Sequence, residues 1–147
     1  MKTISTKIII QAPAAQVWES LVNFSAYPSW NPFIQSLKGQ AKVGTELEAI
    51  ICPPGQKPMT FRPTVLRADK GQEFRWKGKL FVNGIFDGEH YFILKSISED
   101  ETEFEHGEHF SGLLSNILFK MIGENTKQGF EAMNKALKEQ VEHQTVL

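Results

Sequence analysis

Two histidines and a glutamate in the second half of the chain carry the side chains best suited to chemistry. His90 lies in "GIFDGEHYFIL", and His106 and Glu108 lie in "TEFEHGEHF". Both segments alternate as strands do, so residues of one parity share a face. Phe86, Gly88, His90, Phe92 and Leu94 then point one way, opposite Asp87, Glu89 and Lys95. Thr102, Phe104, His106, Glu108 and Phe110 share a face opposite Glu103 and Glu105. All three candidates therefore stand among aromatic side chains on an inward face. If the intervening "SED" turns over three residues, His90 pairs with Glu108 or one pair away, and His106 pairs with Phe92 or Leu94. A slip of one residue would send the phenylalanines to solvent.

An imidazole beside a carboxylate can do three things. The groups can satisfy one another's hydrogen bonds, since an unpaired buried carboxylate is costly. They can anchor the polar end of a ligand in an apolar pocket. They can also move a proton, with His90 or His106 as general base and Glu108 orienting it. Anchoring is the functional reading preferred, and the same three residues are the catalytic candidates if there is turnover. No metal is expected: His and Glu suit zinc or iron, but no helical HExxH spacing is present. No cofactor is expected either. Cys52 precedes "PPG" with no histidine nearby, and there is no GxSxG elbow, so nucleophilic catalysis is not indicated. No glycine-rich loop opens a helix to hold phosphate. His109 falls on the outer face and His143 near the end of the chain.

The elements that must hold these groups are legible. Lys2 to Gln11, rich in Thr and Ile, suits a first strand. Pro13 then opens a helix in which Val17, Trp18, Leu21 and Val22 recur at helical spacing. Pro28 and Pro32 in "YPSWNPFI" are expected to end that region and force an extended crossing, with Ser29 and Asn31 extended and Trp30 and Phe33 leaning over a cavity entrance. From Thr45 onward come "TELEAII", "TFRPTVLRA", "QEFRWKGKLFV" and the two segments above, separated by turn residues. Asn83 and Gly84 form a hairpin signal. In "QEFRWKGK", Phe74, Trp76 and Gly78 share the inward face, opposite Arg75, Lys77 and Lys79. After Phe110 a helical pattern runs to about His143, with Gly123 and Gly129 marking a bend or break. Its apolar stripe runs Leu114, Ile117, Leu118, Met121 and Ile122, then Phe130, Met133, Leu137 and Val141. This order predicts an α+β domain with a curved antiparallel sheet and helices on one face.

With 147 residues the chain holds one core, so a single domain over 1–147 is expected. The net charge of -1, with Lys and Arg scattered, lacks the basic footprint of a nucleic-acid binder. The lone Cys52 cannot form an intramolecular disulfide. The apolar start turns polar at Gln11, too soon for a signal core, and no run suits a bilayer span. A cytoplasmic protein without stable membrane insertion, monomer or homodimer, is the expectation.

The segments "YPSWNPFI", "FRWKG", "GIFDGEHYFIL", "FEHGEHFSGLL" and "GFEAMNKALKEQVE", in this order, resemble the START-like helix-grip (SRPBCC) superfamily, and within it the bacterial polyketide cyclase/dehydrase and lipid-transport group. The resemblance implies a sheet of about six to seven strands wrapped around the long C-terminal helix, two short helices after the first strand, and an apolar cavity between sheet and helix. It supplies no universal catalytic residues. The expected ligand-binding set is Trp30, Phe33, Trp76, Phe86, His90, Phe92, Phe104, His106, Glu108, Phe110 and Phe119, with Phe81 among the inward aromatics. The expected partner is a small hydrophobic or amphipathic ligand such as a lipid, isoprenoid or polyketide-like molecule. The alternatives are a cyclase or dehydratase using the His/Glu groups, and a chaperone-activating interaction domain of the same superfamily.

Overall fold

Alternating residues build the first strand, β1 (Lys2–Ile10), in which Ile4, Thr6 and Ile10 are buried. The computed structural model describes residues 2–80 and 84–146. Phe81 and Asn83 lie outside them. Gly84 is described and has a φ of 88°, the left-handed region that a glycine enters without a Cβ clash. Helix α1 (Ala14–Val22) follows Pro13 and buries Val17, Trp18 and Leu21.

The proline-rich crossing differs from expectation. Phe24–Ala26 is a short 3-10 turn, and Tyr27–Trp30 forms a one-turn helix, α2, with Pro28 in its first turn. A proline there removes an amide that has no helical partner, so it permits the helix rather than preventing it. Ser29 is therefore helical, and its hydroxyl donates to the Ala26 carbonyl at 2.6 Å. Only Pro32 acts as a stop, by holding Asn31 extended at φ -90°, ψ 112°. The Asn31 Oδ1 then accepts from the amides of Phe33 and Ile34 at 3.0 and 2.9 Å, which starts strand β2 (Ile34–Lys38). The sequence reading missed this strand. Ile34 and Leu37 are spaced like helix residues, and both are buried because a register shift between Ile34 and Ser36 brings them to one face.

Strands β3 (Glu48–Ile51) and β4 (Met59–Phe61) join β2 in a three-stranded sheet. Strands β5 (Thr64–Asp69), β6 (Glu73–Leu80), β7 (Phe86–Ser98) and β8 (Glu101–Ser111) form a five-stranded sheet with β1, in the order β1-β8-β7-β6-β5. One sheet of six to seven strands is thus resolved into two antiparallel sheets. The division falls at Arg62 and Pro63, inside a segment that reads as one strand, because proline cannot donate to a ladder. A bridge between Glu46 and Thr64 joins the two sheets.

The last helix, α3 (Ser115–Val146), runs unbroken through Gly123 and Gly129. Gly129 marks close packing: a Cβ there would strike the Phe33 ring. Phe130, Met133, Leu137 and Val141 bury themselves against the inward side of the five-stranded sheet. Among the described residues no helix is long and apolar enough to cross a membrane.

On the outer side, Arg75 bonds Glu73 and Glu89 at 2.7 Å each and lies 4.9 Å from the Tyr91 ring centroid. Tyr91 lies across Gly107, where a Cβ would meet its ring and come within 2.7 Å of the Ile4 carbonyl oxygen. Gly107→Ala is therefore expected to destabilise the fold by about 1–3 kcal/mol through overpacking. Urea denaturation measures it, and an unchanged midpoint would show that the Tyr91 ring yields freely.

Candidate functional site

Antiparallel register lines up the inward residues in rows across the sheet. One row is Phe74, Phe92, His106 and Thr6; the next is Trp76, His90, Glu108 and Ile4. The third contains Gly78, Gly88 and Phe110. The two adjacent glycines leave a gap beside Phe110 in this third row, and a cavity of about 240 Å³ opens over it. Gly78 is free of close neighbours: a Cβ there would meet only Pro63, at 3.6 Å. Gly88 accommodates the carboxylate of Glu108, which a Cβ would strike.

The cavity is walled by Phe33, Trp76, Phe86 and Phe110, by Ile51, Met59 and Phe61 of the three-stranded sheet, and by Leu118, Ile122 and Thr126 of α3. Pro53 and Gln56 bring the "CPPGQKP" loop to it, and Lys79 and Gln56, both exposed, stand at the rim. Phe86 and Phe110 stack with centroids 5.4 Å apart and planes 7° apart, while Trp76 stacks on His90 at 5.0 Å. These offset contacts make stiff walls.

Of the residues singled out from sequence, Phe33, Trp76, Phe86, His90, Glu108 and Phe110 line this cavity. Phe92, Phe104 and His106 lie behind the lining and are fully buried. Trp30, expected at the entrance, instead packs edge-on against Tyr27 at 5.2 Å, because α2 turns it back toward the core. Phe119 backs Phe110 at 5.7 Å without lining the cavity. The α3 stripe also divides: Leu118 and Ile122 face the cavity, whereas Ile117 and Met121 are 62% and 73% exposed.

Behind the lining runs a polar relay. Glu108 Oε1 is 3.5 Å from His90 Nδ1, and His90 Nε2 is 2.6 Å from His106 Nε2. His106 Nδ1 is 2.9 Å from Asn134 Oδ1, Asn134 Nδ2 donates to Thr6 Oγ1 at 2.8 Å, and Thr6 donates to the His106 carbonyl at 2.8 Å. Thr6 and Asn134 were missed in the sequence. The available signal was a polar residue at an inward position of β1, and another between Phe130 and Leu137 on the buried stripe of α3. His106 is wholly enclosed, with the Phe130 ring stacked on it at 4.1 Å. Burial, reinforced by the electrostatic effect of the neighbouring His90, holds the His106 imidazole well below its ordinary value of 6.5. Among the described residues no cluster of three metal-ligating side chains occurs.

A buried histidine kept neutral makes the folded state bind fewer protons than the unfolded chain in mild acid. Its contribution to stability is whole above the ordinary value of 6.5 and is lost as pH falls toward the depressed folded value. Wild-type stability is expected to fall from pH 7 downward with a limiting slope of about 1.4 kcal/mol per pH unit, and His106→Gln to flatten it. Urea titrations at several pH values check this; equal slopes in both proteins would place the acid sensitivity elsewhere.

Comparison with known proteins places this architecture. The chain superposes on norcoclaurine synthase from Thalictrum flavum with a TM-score of 0.75 at 15% identity, covering 98% of this chain and 96% of that one. A START superfamily protein from Mycobacterium smegmatis gives 0.73 at 21% identity, with 96% and 97% covered. The Zhui aromatase/cyclase from Streptomyces sp. R1128 gives 0.75 at 13% identity, with 98% and 95% covered. These likenesses establish a shared START-like fold. No curated protein matches the sequence. The profile of the family described as "Polyketide cyclase / dehydrase and lipid transport" matches residues 1–142, and the chain belongs to that family.

Proposed function

We propose that this protein binds a small, mostly apolar molecule in the cavity over Gly78 and Gly88 and carries it, with Glu108 and His90 at the ligand's polar end. The observation that supports this most is a largely apolar cavity of about 240 Å³ into which, among the described residues, one carboxylate, Glu108, is set. Apolar walls with a few placed polar groups are the usual form of a small-molecule site. That volume lies toward the small end of ligand pockets, which suits a substituted ring system or short chain better than a two-tailed lipid. The family description and the aromatase/cyclase neighbour agree with a ligand of this kind.

The cyclase or dehydratase reading takes a changed form. Both nitrogens of His90 face other side chains, so Glu108 rather than a histidine nitrogen would meet the polar group of a substrate, with His90 as its neighbour. Exposed Leu113, Ile117 and Met121 favour an interaction module, but that reading needs a filled interior, and the cavity argues against it.

Native mass spectrometry of the purified protein beside its denatured mass is expected to show an added mass that is lost on unfolding. Gly78→Leu projects a side chain into the cavity without a backbone clash, and is expected to remove the added mass while the thermal midpoint is held or raised. Retention of the full added mass in Gly78→Leu would move the binding site elsewhere.

A further inference from the structure

The directions of the hydrogen bonds in the relay determine what the cavity offers a ligand, an argument that rests on the ligand-binding reading above. The His106 carbonyl can only accept, so Thr6 donates to it and must accept from Asn134. That fixes the amide: Nδ2 faces Thr6, and Oδ1 faces His106 Nδ1 at 2.9 Å. An amide oxygen only accepts, so His106 carries its proton on Nδ1. With His106 neutral, its Nε2 is a bare acceptor, and the 2.6 Å contact requires that His90 Nε2 hold a proton and donate it. Only His90 Nδ1 remains, 3.5 Å from Glu108 Oε1. His90 is 2% exposed, so this nitrogen faces the Glu108 carboxylate and not open solvent.

Every imidazole nitrogen is thereby occupied, and none presents an N–H to the cavity. What the deep wall presents is the second oxygen of Glu108, lying over Gly88, to which no described residue donates. The Glu108 side chain is 18% exposed, so this oxygen is partly desolvated and in need of a donor. Lys79 and Gln56, both exposed, also line the cavity without bonding Glu108, and Thr126 lines it from α3 with a hydroxyl that can donate or accept.

We infer that the ligand carries a hydrogen-bond donor, a hydroxyl or amine, at its buried polar end, and that ligands ending in a carboxylate or phosphate are rejected. Thr6 and Asn134 enforce this preference as positioning residues, although neither touches the cavity. A ligand with an alcohol, phenol or amine terminus completes the relay, whereas an anion would set oxygen against oxygen.

The test uses two probes of the same ring, 2-naphthol and 2-naphthoate, titrated into the purified protein at neutral pH and followed by calorimetry. The neutral phenol is expected to bind at least about tenfold more tightly than the anion, a modest penalty for like charges in a desolvated site. Glu108→Gln supplies an amide donor in place of one oxygen and is expected to abolish or reverse the preference. Long-range proton–nitrogen correlation spectra, recorded alongside, are expected to show the Nδ1–H tautomer at His106, and Asn134→Leu to disturb that tautomer and narrow the preference. Equal or tighter binding of 2-naphthoate overturns the inference while leaving the ligand-binding reading intact. The Nε2–H tautomer at His106 in the wild type also overturns it. Binding of neither probe counts against the ligand-binding reading itself, and the tautomer spectra still report separately on the relay.

Discussion

The register between β7 and β8 is the constraint on which the rest depends. It puts His90 opposite Glu108 and Phe92 opposite His106, and so assembles the aromatic wall and the polar relay in one step. The chain obtains this register by an unexpected route. The tip pairs Ser98 with Glu101, a two-residue turn, and a register shift between Ser96 and Ser98 restores the parity that a three-residue turn would give. Without the bulge, inward residues of one strand would face outward residues of the other. Phe86, Phe92, Phe104 and Phe110 are all buried, and each is worth about 1.5–3 kcal/mol when fully buried, so the slipped arrangement is strongly disfavoured.

Once the register is set, the cavity follows from what is missing. A well-packed interior fills the space between sheet and helix, and a void forfeits dispersion contacts with its lining. Here Gly78 and Gly88 are paired neighbours, so the gap is two side chains wide, and the glycine at 88 also admits the Glu108 carboxylate. Collapse is resisted by stacked aromatic walls and by the separate three-stranded sheet, which Pro63 splits from the larger one and whose Ile51, Met59 and Phe61 close the far side. The Phe33 ring is fixed against Gly129 of α3 by the Asn31 turn, which links the proline-rich crossing to the same cavity.

The relay shows how polar groups persist in such an interior. Thr6, His106 and Asn134 are each nearly inaccessible, and each hydrogen bond among them satisfies a group whose isolation would cost about 1–3 kcal/mol. The Phe130 ring excludes water from His106, which is why burial dominates that histidine's behaviour. The relay reaches the cavity at Glu108, the end of a chain of polar contacts anchored on β1 and α3.

The sequence by itself determined the α+β class, the inward faces of β6, β7 and β8 and the long last helix, because side-chain alternation and helical periodicity are local consequences of backbone geometry; it brought His90 to Glu108 only to within one pair. It also marked six residues that line the cavity. Three things were decided only in the tertiary structure. The first is the split into two sheets at Pro63 and the extra strand at Ile34–Lys38, where a bulge hides the alternation. The second is the displacement of Trp30 from the entrance, since whether Pro28 blocks or begins a helix depends on where the preceding turn ends. The third is the joining of Thr6 and Asn134 to His106, across sequence separations of 100 and 28 residues. Each is marked locally only as a polar residue at an inward position, and its partner is not marked at all, because a hydrogen bond between distant segments is specified by how helix and sheet dock, and docking is a property of the whole core.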